Sequence, residues 1–215
     1  MKKIAVIGSG AVGEALAGGF LKNGYEVMRA SREPGKLRAW KDAAGAKAST
    51  GTPAEAASWG DAVVLAVKGI AAKEAVAQCG PEALDGKIVM DTTNPIADAP
   101  PEKGVLRFFT DQNGSLMEAL QAAAPGAKFV KAFSCVGSAL MVDPALDGEK
   151  PTMFICGNDA GAKKTVTGIL ARFGWETEDM GAAEAARAIE PLCMLWCIPG
   201  FLHNSWNHAF KLLKG

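Results

Sequence analysis

The sequence predicts an α/β protein with a doubly wound, mostly parallel sheet and a C-terminal helical hairpin. Short apolar runs alternate with Ala-rich helical stretches over most of the 215 residues, which is the pattern of βαβ units. Several of these runs lack polar alternation, as expected for strands that helices cover on both faces. With 49% hydrophobic residues, the chain is long enough for one well-packed domain with a small appendage.

Seven short apolar runs are predicted as strands because each is separated from the next by a helical or turn-forming stretch. They are residues 3–7, 25–30, 62–67, 87–91, 129–133, 152–156 and 175–178.

The predicted helices are recognised from the residues at their ends. The first, residues 11–22, is followed by Asn23-Gly24, a common C-terminal pair. A capping box at 115–118 opens another helix, and Thr52-Pro53 opens a short one with proline in its first turn. A further helix runs from 159 to about 173. After residue 181 the pattern is helical to the end, and Pro191 and Pro199 divide that segment.

Composition and charge exclude several classes of partner. Lys plus Arg equals Asp plus Glu at 23 each, so no basic excess would attract nucleic acid. Met1-Lys2-Lys3 leads directly into an apolar run that is too short for a secretory signal. The longest apolar stretch, residues 192–198, lies between prolines and is too short to cross a bilayer. These features predict a soluble, cytoplasmic protein without a membrane or nucleic-acid partner.

The five cysteines, at positions 79, 135, 156, 193 and 197, are an odd number without metal-finger spacing. Cys193 and Cys197 lie four residues apart near His203 and His208, but buried, reduced thiols are the simpler interpretation in a cytosolic protein. No metal site is predicted.

A glycine motif follows the first predicted strand and opens the first predicted helix. It reads Gly8-Ser9-Gly10-Ala11-Val12-Gly13, in which the glycines permit a tight turn, approach of a pyrophosphate and close helix–strand packing. The helix N-terminus directs N–H groups and partial positive charge at the anion. This context predicts a dinucleotide-binding Rossmann domain over residues 1–179, with residues 180–215 as a C-terminal helical segment for packing or dimerisation.

The tip of the second strand predicts NADP(H) in preference to NAD(H). NAD-selective sites carry Asp or Glu about 20 residues after the motif, to bind the ribose 2′-hydroxyl. Here the tip reads Ala30-Ser31-Arg32, without an acid. A hydroxyl and a guanidinium suit a 2′-phosphate, and Lys36 would add a second cation. The alternative is that Arg32 is a solvated loop charge beside Glu33.

Further motifs continue along the chain. They are Ala-Ser-Arg at 30–32, residues 63–68, Asp-Thr-Thr-Asn-Pro at 91–95, Val-Lys-Ala-Phe at 130–133, residues 151–157 and Ile-Glu-Pro-Leu at 189–192. In their order and spacing, together with residues 4–13, the chain resembles the NADPH-dependent reductases of the deazaflavin coenzyme F420. It is more distantly similar to the Rossmann domain of the STEAP metalloreductases.

The resemblance implies an oxidoreductase that transfers a hydride between NADP(H) and a deazaflavin (F420) or a flavin such as FMN or FAD. It implies a cofactor that spans the glycine loop, the tip of the second strand and the loops after the next strands. The residues that it assigns are Ser9, Gly10, Ala11 and Val12 at the pyrophosphate; Ser31, Arg32 and Lys36 at the 2′-phosphate; Ala66, Val67 and Lys68 beside the ribose and nicotinamide; Asn94 and Pro95 at the nicotinamide pocket; and Ser134, Cys135, Val136, Gly137 and Ser138 facing the hydride acceptor.

The predicted acceptor loop carries no evident general acid. A ketone reductase needs a proton donor at the developing alkoxide, commonly Tyr, His or Lys. The single Tyr is Tyr25, on the adenosine side, and both His residues lie in the C-terminal segment, which leaves Lys68 and Lys131. Transfer between two stacked rings mainly needs orientation and exclusion of water, and it is therefore the favoured hypothesis.

Two alternatives stay open at this point. One is NADPH-dependent reduction of a small carbonyl or imine, against which the missing acid argues. The other is a non-catalytic NADPH-sensing module, against which the lack of an appended regulatory segment argues. The C-terminal segment is too apolar to lie exposed on a monomer, which predicts a homodimer with Trp196, Trp206 and Phe210 in its interface.

Overall fold

The computed structural model describes residues 1–146 and 148–215 and contains a main sheet of six parallel strands. Most of these strands are apolar and buried, because helices cover both faces of the sheet. The strands are β1 (Lys3–Ile7), β2 (Glu26–Ala30), β3 (Ala48–Gly51), β4 (Ala62–Leu65), β5 (Ile88–Asp91) and β6 (Lys128–Lys131).

The strand order across the sheet is β3-β2-β1-β4-β5-β6. The chain therefore begins in the middle of the sheet and builds outward on one side and then on the other. The loops that follow β1 and β4 leave in opposite directions, which opens a crevice at the carboxyl ends of the strands, where such folds bind ligands. The predicted fold class, an α/β doubly wound parallel sheet, is confirmed.

Helices on the two faces of the sheet create two apolar cores. One core lies against the first and sixth helices and includes Leu16 and Phe173, and the other lies against the third to fifth helices and includes Leu120 and Phe129. The helices are α1 (Ala11–Lys22), α2 (Arg38–Ala44), α3 (Pro53–Trp59), α4 (Ala72–Cys79), α5 (Leu116–Ala123), α6 (Ala160–Arg172), α7 (Ala186–Ile189) and α8 (Leu192–His203).

A separate two-stranded sheet extends the domain beyond β6. Its strands, β7 (Thr152–Ile155) and β8 (Glu176–Asp179), are parallel and are connected through α6. An antiparallel bridge between Lys131 and Cys156 joins the end of β7 to the end of β6. The second sheet thus continues the layer of the first.

All seven predicted strands are present, with ends that differ from the prediction by no more than two residues. The sequence analysis missed β3 and did not name α2 or α4. The strand β3 lies at the edge of the sheet and pairs with β2 alone, so its two central residues, Ser49 and Thr50, are only half-buried. A polar edge strand carries neither the apolar run nor the alternation by which strands were recognised.

The prediction of helix to the end of the chain is wrong for residues 204–215. Asn204 adopts a left-handed conformation (φ 52°), which ends α8. The chain then turns back along α8, and Trp206 packs against Gly200. Further along the tail, the Phe210 carbonyl accepts a hydrogen bond of 2.8 Å from the Thr152 amide at β7. In place of a hairpin of two helices, the segment forms α7, α8 and an extended tail.

The helical segment Ala183–His203 is a candidate membrane span by length and composition alone, and 39% of its most apolar stretch lies buried inside the protein. In this structure its buried side packs on the sheet domain. Glu190, between α7 and α8, is 1% exposed.

Candidate functional site

A cleft of about 480 Å³ lies at the carboxyl ends of β1, β2 and β4. It brings together the glycine loop, the tip of β2 and the segment after β4, which are far apart in sequence. The predicted cofactor-binding residues that line it are Gly8, Ser9, Gly10, Ser31, Arg32, Lys36, Ala66, Val67 and Lys68. Ala11, Val12 and Gly13 form the first turn of α1, beside the cleft.

The glycines of the loop are required by close backbone contacts. A Cβ atom on Gly8, whose φ is +147°, would lie 2.1 Å from the carbonyl oxygen of Ala66. One on Gly13 would lie 2.6 Å from the carbonyl oxygen of Gly8. A Cβ on Gly10 would have nothing within 4 Å, so this residue presents bare backbone to open space at the cleft. The loop therefore forms a cradle that a pyrophosphate can approach closely.

The N-terminus of α1 is free to bind an anion. Side chains of Thr52, Ser115 and Asp159 accept hydrogen bonds from the first turns of α3, α5 and α6. Among the residues that the structure describes, no side chain does this for α1, which begins after Gly10. Its first amides and the positive end of its dipole are left to a ligand, which fits the diphosphate of a dinucleotide.

The residues predicted at the 2′-phosphate lie together at one end of the cleft. Arg32 Nη1 is 3.8 Å from Glu74 Oε1, and Lys36 Nζ is 2.8 Å from Glu33 Oε1. All four side chains are well exposed, and such ion pairs contribute at most about 1 kcal/mol. A phosphate dianion can replace these carboxylates at little cost, so the residues present fit NADP(H).

Arg29 supports the glycine loop from below, and the sequence analysis did not single it out. Its guanidinium is 1% exposed, donates to the Gly10 carbonyl at 3.3 Å and lies 3.4 Å from a Glu14 oxygen. The guanidinium also lies over the Trp40 ring, 4.8 Å from the centroid. An arginine between the apolar residues Met28 and Ala30 was the available signal, because a buried charge needs specific partners.

At the other end of the cleft, Val67 and Lys68 also line an adjoining cavity of about 260 Å³. Thr92, Thr93 and Asn94 contribute to its wall. Pro95 follows and is buried, and its carbonyl accepts a hydrogen bond from Phe109. The structure thus places Asn94, but not Lys131, at the surface of the cavity that continues the cleft.

The loop 134–138, which was expected to face the hydride acceptor, is covered by its own chain. Ser134, Cys135 and Val136 are at most 7% exposed, and a Cβ on Gly137 would lie 2.7 Å from the Trp196 ring of α8. Ser138 is half-buried and begins a short 3-10 turn. The loop reaches the cavity through Asn94, whose side-chain Nδ2 donates to the Ser134 carbonyl at 2.9 Å.

Cys135 is a poor candidate for a nucleophile. Burial raises the pKa of its thiol to about 12, so the reactive thiolate is scarce at neutral pH.

A buried ion-pair network lies behind the cavity wall. Lys131 Nζ is 2.6 Å from Asp91 Oδ2 and 2.8 Å from Glu190 Oε1, and the side chains of all three are at most 2% exposed. We call Asp91, Lys131 and Glu190 the buried triad. The motifs at 91–95, 130–133 and 189–192 each contain one of its members, but nothing in the sequence indicated that the three meet.

Comparisons with known proteins agree with this geometry. The family model described as "NADP oxidoreductase coenzyme F420-dependent" matches residues 3–95. A protein from Arthrobacter sp. FB24, proposed to be an F420-dependent NADP reductase, is 31% identical over the full length of both chains, with a TM-score of 0.92. Rat metalloreductase STEAP3 is 31% identical over 93% of this chain, which spans 39% of the length of that relative.

The fold also extends to more distant enzymes. A reductive aminase from Aspergillus terreus, solved with NADPH and ethyl levulinate, has a TM-score of 0.68 over 95% of this chain and 63% of its own, at 19% identity, and this likeness concerns the fold alone. The Arthrobacter structure, the STEAP3 relative and the family model confirm the predicted family and the predicted enzyme class. The chain belongs to the coenzyme F420-dependent NADP oxidoreductase family and is an NADP-dependent oxidoreductase.

Proposed function

We propose that this enzyme transfers a hydride between NADP(H), bound in the cleft, and a deazaflavin such as coenzyme F420 or a flavin. The observation that carries the proposal is the continuity of the cleft with the cavity beside Asn94, through the shared residues Val67 and Lys68. A dinucleotide site and a site for a second planar ring would then adjoin, which hydride transfer requires.

The chain's own residues would bind, orient and exclude water, while the nicotinamide ring supplies the hydride. The first-turn amides of α1 would hold the pyrophosphate, and Ser31, Arg32 and Lys36 the 2′-phosphate. In the adjoining cavity, the Thr92 hydroxyl donates to the Leu65 carbonyl, and the Thr93 hydroxyl donates to Asp91. Neither hydroxyl is therefore free as an acid, which supports an acceptor that needs little proton transfer from the protein.

Arg32→Ala should weaken NADPH binding by about 10- to 150-fold, the effect of losing one charged phosphate contact. NADH, which lacks the 2′-phosphate, should bind to the variant and the wild type alike. Titration calorimetry with both nucleotides measures this. Arg38→Ala is the matched control, since Arg38 is exposed and pairs with Asp42 outside the cleft. Equal NADPH affinity in Arg32→Ala and wild type would remove Arg32 from the site.

The acceptor can be identified by assaying a panel with NADPH: F420, FMN, FAD, ferric chelates, small ketones and imines. We expect turnover with a deazaflavin or flavin, and deuterium from C4-labelled NADPH should remain on the deazaflavin ring carbon. Lys68→Ala should lower the rate by about 2- to 10-fold, the cost of one lost hydrogen bond, and Ala substitutions in the covered loop at Ser134, Cys135 or Ser138 should lower it no more than that. Loss of a general acid costs about 10²- to 10⁴-fold. Such a loss in Lys68→Ala, with normal NADPH binding, would instead favour a carbonyl or imine substrate.

We also propose that the enzyme is a homodimer that uses the exposed side of the C-terminal segment. The predicted interface needs revision, because Trp196 is 6% exposed and is covered by its own chain, with its Nε1 donating to the His208 carbonyl. The exposed apolar side chains nearby are Leu195, Phe201, Leu202 and Trp206, at 54%, 42%, 52% and 37%. An apolar patch of this kind is typical of an interface.

Light scattering should therefore give twice the mass of the chain. Leu195→Glu should produce monomers, because it puts a charge into the proposed interface. Leu213→Glu, at a 77% exposed position of the tail, is the control and should leave the dimer intact. A wild-type monomer with full activity would contradict the proposal.

A further inference from the structure

We propose that the buried triad positions Thr93 and Asn94 for the nicotinamide half of the cofactor. Because Glu190 belongs to the C-terminal segment (residues 180–215), the packing of this segment on the sheet domain also contributes to the nicotinamide half of the site. The inference rests on the proposed binding of NADP(H) in the cleft and identifies residues that act on one half of the ligand.

Thr93 is held by the triad through every polar group that it has. Its amide donates to Asp91 Oδ1 at 2.9 Å, its hydroxyl donates to the same oxygen at 2.6 Å, and its carbonyl accepts from Lys131 Nζ at 2.8 Å. Thr93 is 1% exposed, so no water competes for these bonds. Its position cannot change unless the triad changes.

Asn94 follows Thr93 directly, so the fixed backbone of Thr93 also constrains the position of Asn94. Its backbone packs so closely on the segment after β4 that a Cβ on Gly69 would lie 1.9 Å from the Asn94 carbonyl oxygen. Its side-chain Nδ2 donates to the Ser134 carbonyl, while its Oδ1 is buried and has no partner among the described residues. Asn94 thus links the loops after β4, β5 and β6, and it lies in the wall of the adjoining cavity.

Glu190 connects the triad to the C-terminal segment. Its two oxygens accept 3.0 Å hydrogen bonds from the amides of Leu116 and Met117 at the start of α5, and Oε1 also contacts Lys131. One cation faces two carboxylates, and the α5 amides stabilise the excess negative charge. If the segment moved away, Lys131 would lose one of its carboxylates and α5 would lose the acceptor for its first amides.

A nearby ion pair joins the same elements without reaching the triad. Arg187 of α7 contacts Glu118 of α5 through two hydrogen bonds of 2.5 and 3.0 Å, and its side chain is 41% exposed. It therefore fastens the C-terminal segment to α5 on the surface. Arg187→Gln serves as the matched control for Glu190→Gln, because each removes one charge from the same junction.

The test compares binding of NADPH with binding of adenosine 2′,5′-bisphosphate, which lacks the nicotinamide half. Glu190→Gln cannot accept from both α5 amides while it also faces Lys131, so the triad should shift. We expect its NADPH affinity to fall about tenfold or more, while adenosine 2′,5′-bisphosphate binds within about twofold of wild type. The fluorescence of the bound nicotinamide should also move toward that of free NADPH. Arg187→Gln should match wild type in all three measurements.

Three outcomes overturn the inference. Unchanged NADPH affinity and nicotinamide fluorescence in Glu190→Gln, with only a lower melting temperature, would make the triad purely structural. Equal losses of affinity for NADPH and adenosine 2′,5′-bisphosphate in Glu190→Gln would indicate that the whole cleft is disturbed. The same losses of affinity in Arg187→Gln would show that the effect comes from the packing of the C-terminal segment on α5 and not from the triad. Failure of wild type to bind NADPH is a different result, which refutes the proposed function.

A second variant covers the case in which Glu190→Gln does not fold. Thr93→Val keeps the shape and the triad but removes the hydroxyl bond to Asp91. It should show the same pattern with a smaller loss of NADPH affinity, about threefold, and unchanged binding of adenosine 2′,5′-bisphosphate. NADPH binding identical to wild type in this variant would overturn the inference as well.

Discussion

Lys131→Met should destabilise the protein by about 3–5 kcal/mol, because it leaves Asp91 and Glu190 buried and without a cation. Lys211→Met is the matched control. Lys211 also faces two carboxylates, Glu149 at 3.2 Å and Glu176 at 2.7 Å, but these are well exposed, and its loss should lower the free energy of unfolding far less than the loss of Lys131. Urea denaturation followed by tryptophan fluorescence gives both free energies of unfolding. Similar values for the two variants would contradict the burial argument.

The pH dependence provides an independent check on Lys131. Burial by itself would lower its pKa, but the charges of Asp91 and Glu190 outweigh burial and raise the pKa above the ordinary value of 10.5. The stability that this charge contributes is thus complete below pH 10.5 and is lost as the pH rises through the raised pKa. The wild type should therefore lose this contribution only above pH 10.5, and Lys131→Met should lack that alkaline loss. A wild type that lost the contribution in the neutral range would contradict the assignment.

Gly8→Ala should destabilise the protein by about 2–5 kcal/mol and abolish NADPH binding. The added methyl would overlap the Ala66 carbonyl at 2.1 Å, and a φ of +147° is strained for alanine, so both overpacking and backbone strain contribute. Gly18→Ala is the control in α1, since a Cβ there meets nothing within 4 Å. It should be neutral or stabilise the helix by up to about 1 kcal/mol, with unchanged NADPH affinity.

Thermal unfolding and NADPH titration of the two glycine variants together test whether Gly8 is required for stability and for NADPH binding. A Gly8→Ala protein as stable as wild type would show that β1 and β4 separate easily at the glycine loop. Loss of NADPH binding in Gly18→Ala would show that the cradle is not what holds the nucleotide.

The part of the fold that could be predicted from sequence is the part that local patterns determine. The strand β1, the glycine loop and α1 are contiguous, so one short stretch contained the turn, the helix start and the anion cradle. The helix starts at Thr52, Ser115 and Asp159 were predicted, and each is capped in the structure, because a cap depends only on residues three positions apart. The strand β3 was missed, because a polar edge strand is stabilised by its neighbour and not by its own pattern.

The cofactor half of the candidate site could also be predicted from the sequence. Ser31 and Arg32 follow β2 directly, and the carboxyl ends of parallel strands meet at one edge of a sheet. The residues Ala66 to Lys68 after β4 therefore had to lie near the glycine loop once the fold was known. The structure brings all of these residues to one cleft.

The acceptor half required the tertiary structure. Whether loop 134–138 is open or covered depends on where α8 packs, and the Trp196 ring covers Gly137 from nearly sixty residues away. The return of the tail after Asn204 buries Trp196, which the apolar composition alone suggested was free for a partner.

The sequence by itself therefore determined the doubly wound fold and the glycine loop at its centre, and it predicts the preference for a 2′-phosphate, because each depends on residues close together in the chain. Only the tertiary structure decided that Asp91, Lys131 and Glu190 meet, and that Arg29 lies beneath the glycine loop. A buried charged residue needs specific partners, and the charged partners of these residues come from other elements, so the sequence could indicate that a charge lies in an apolar strand but not which residues it meets.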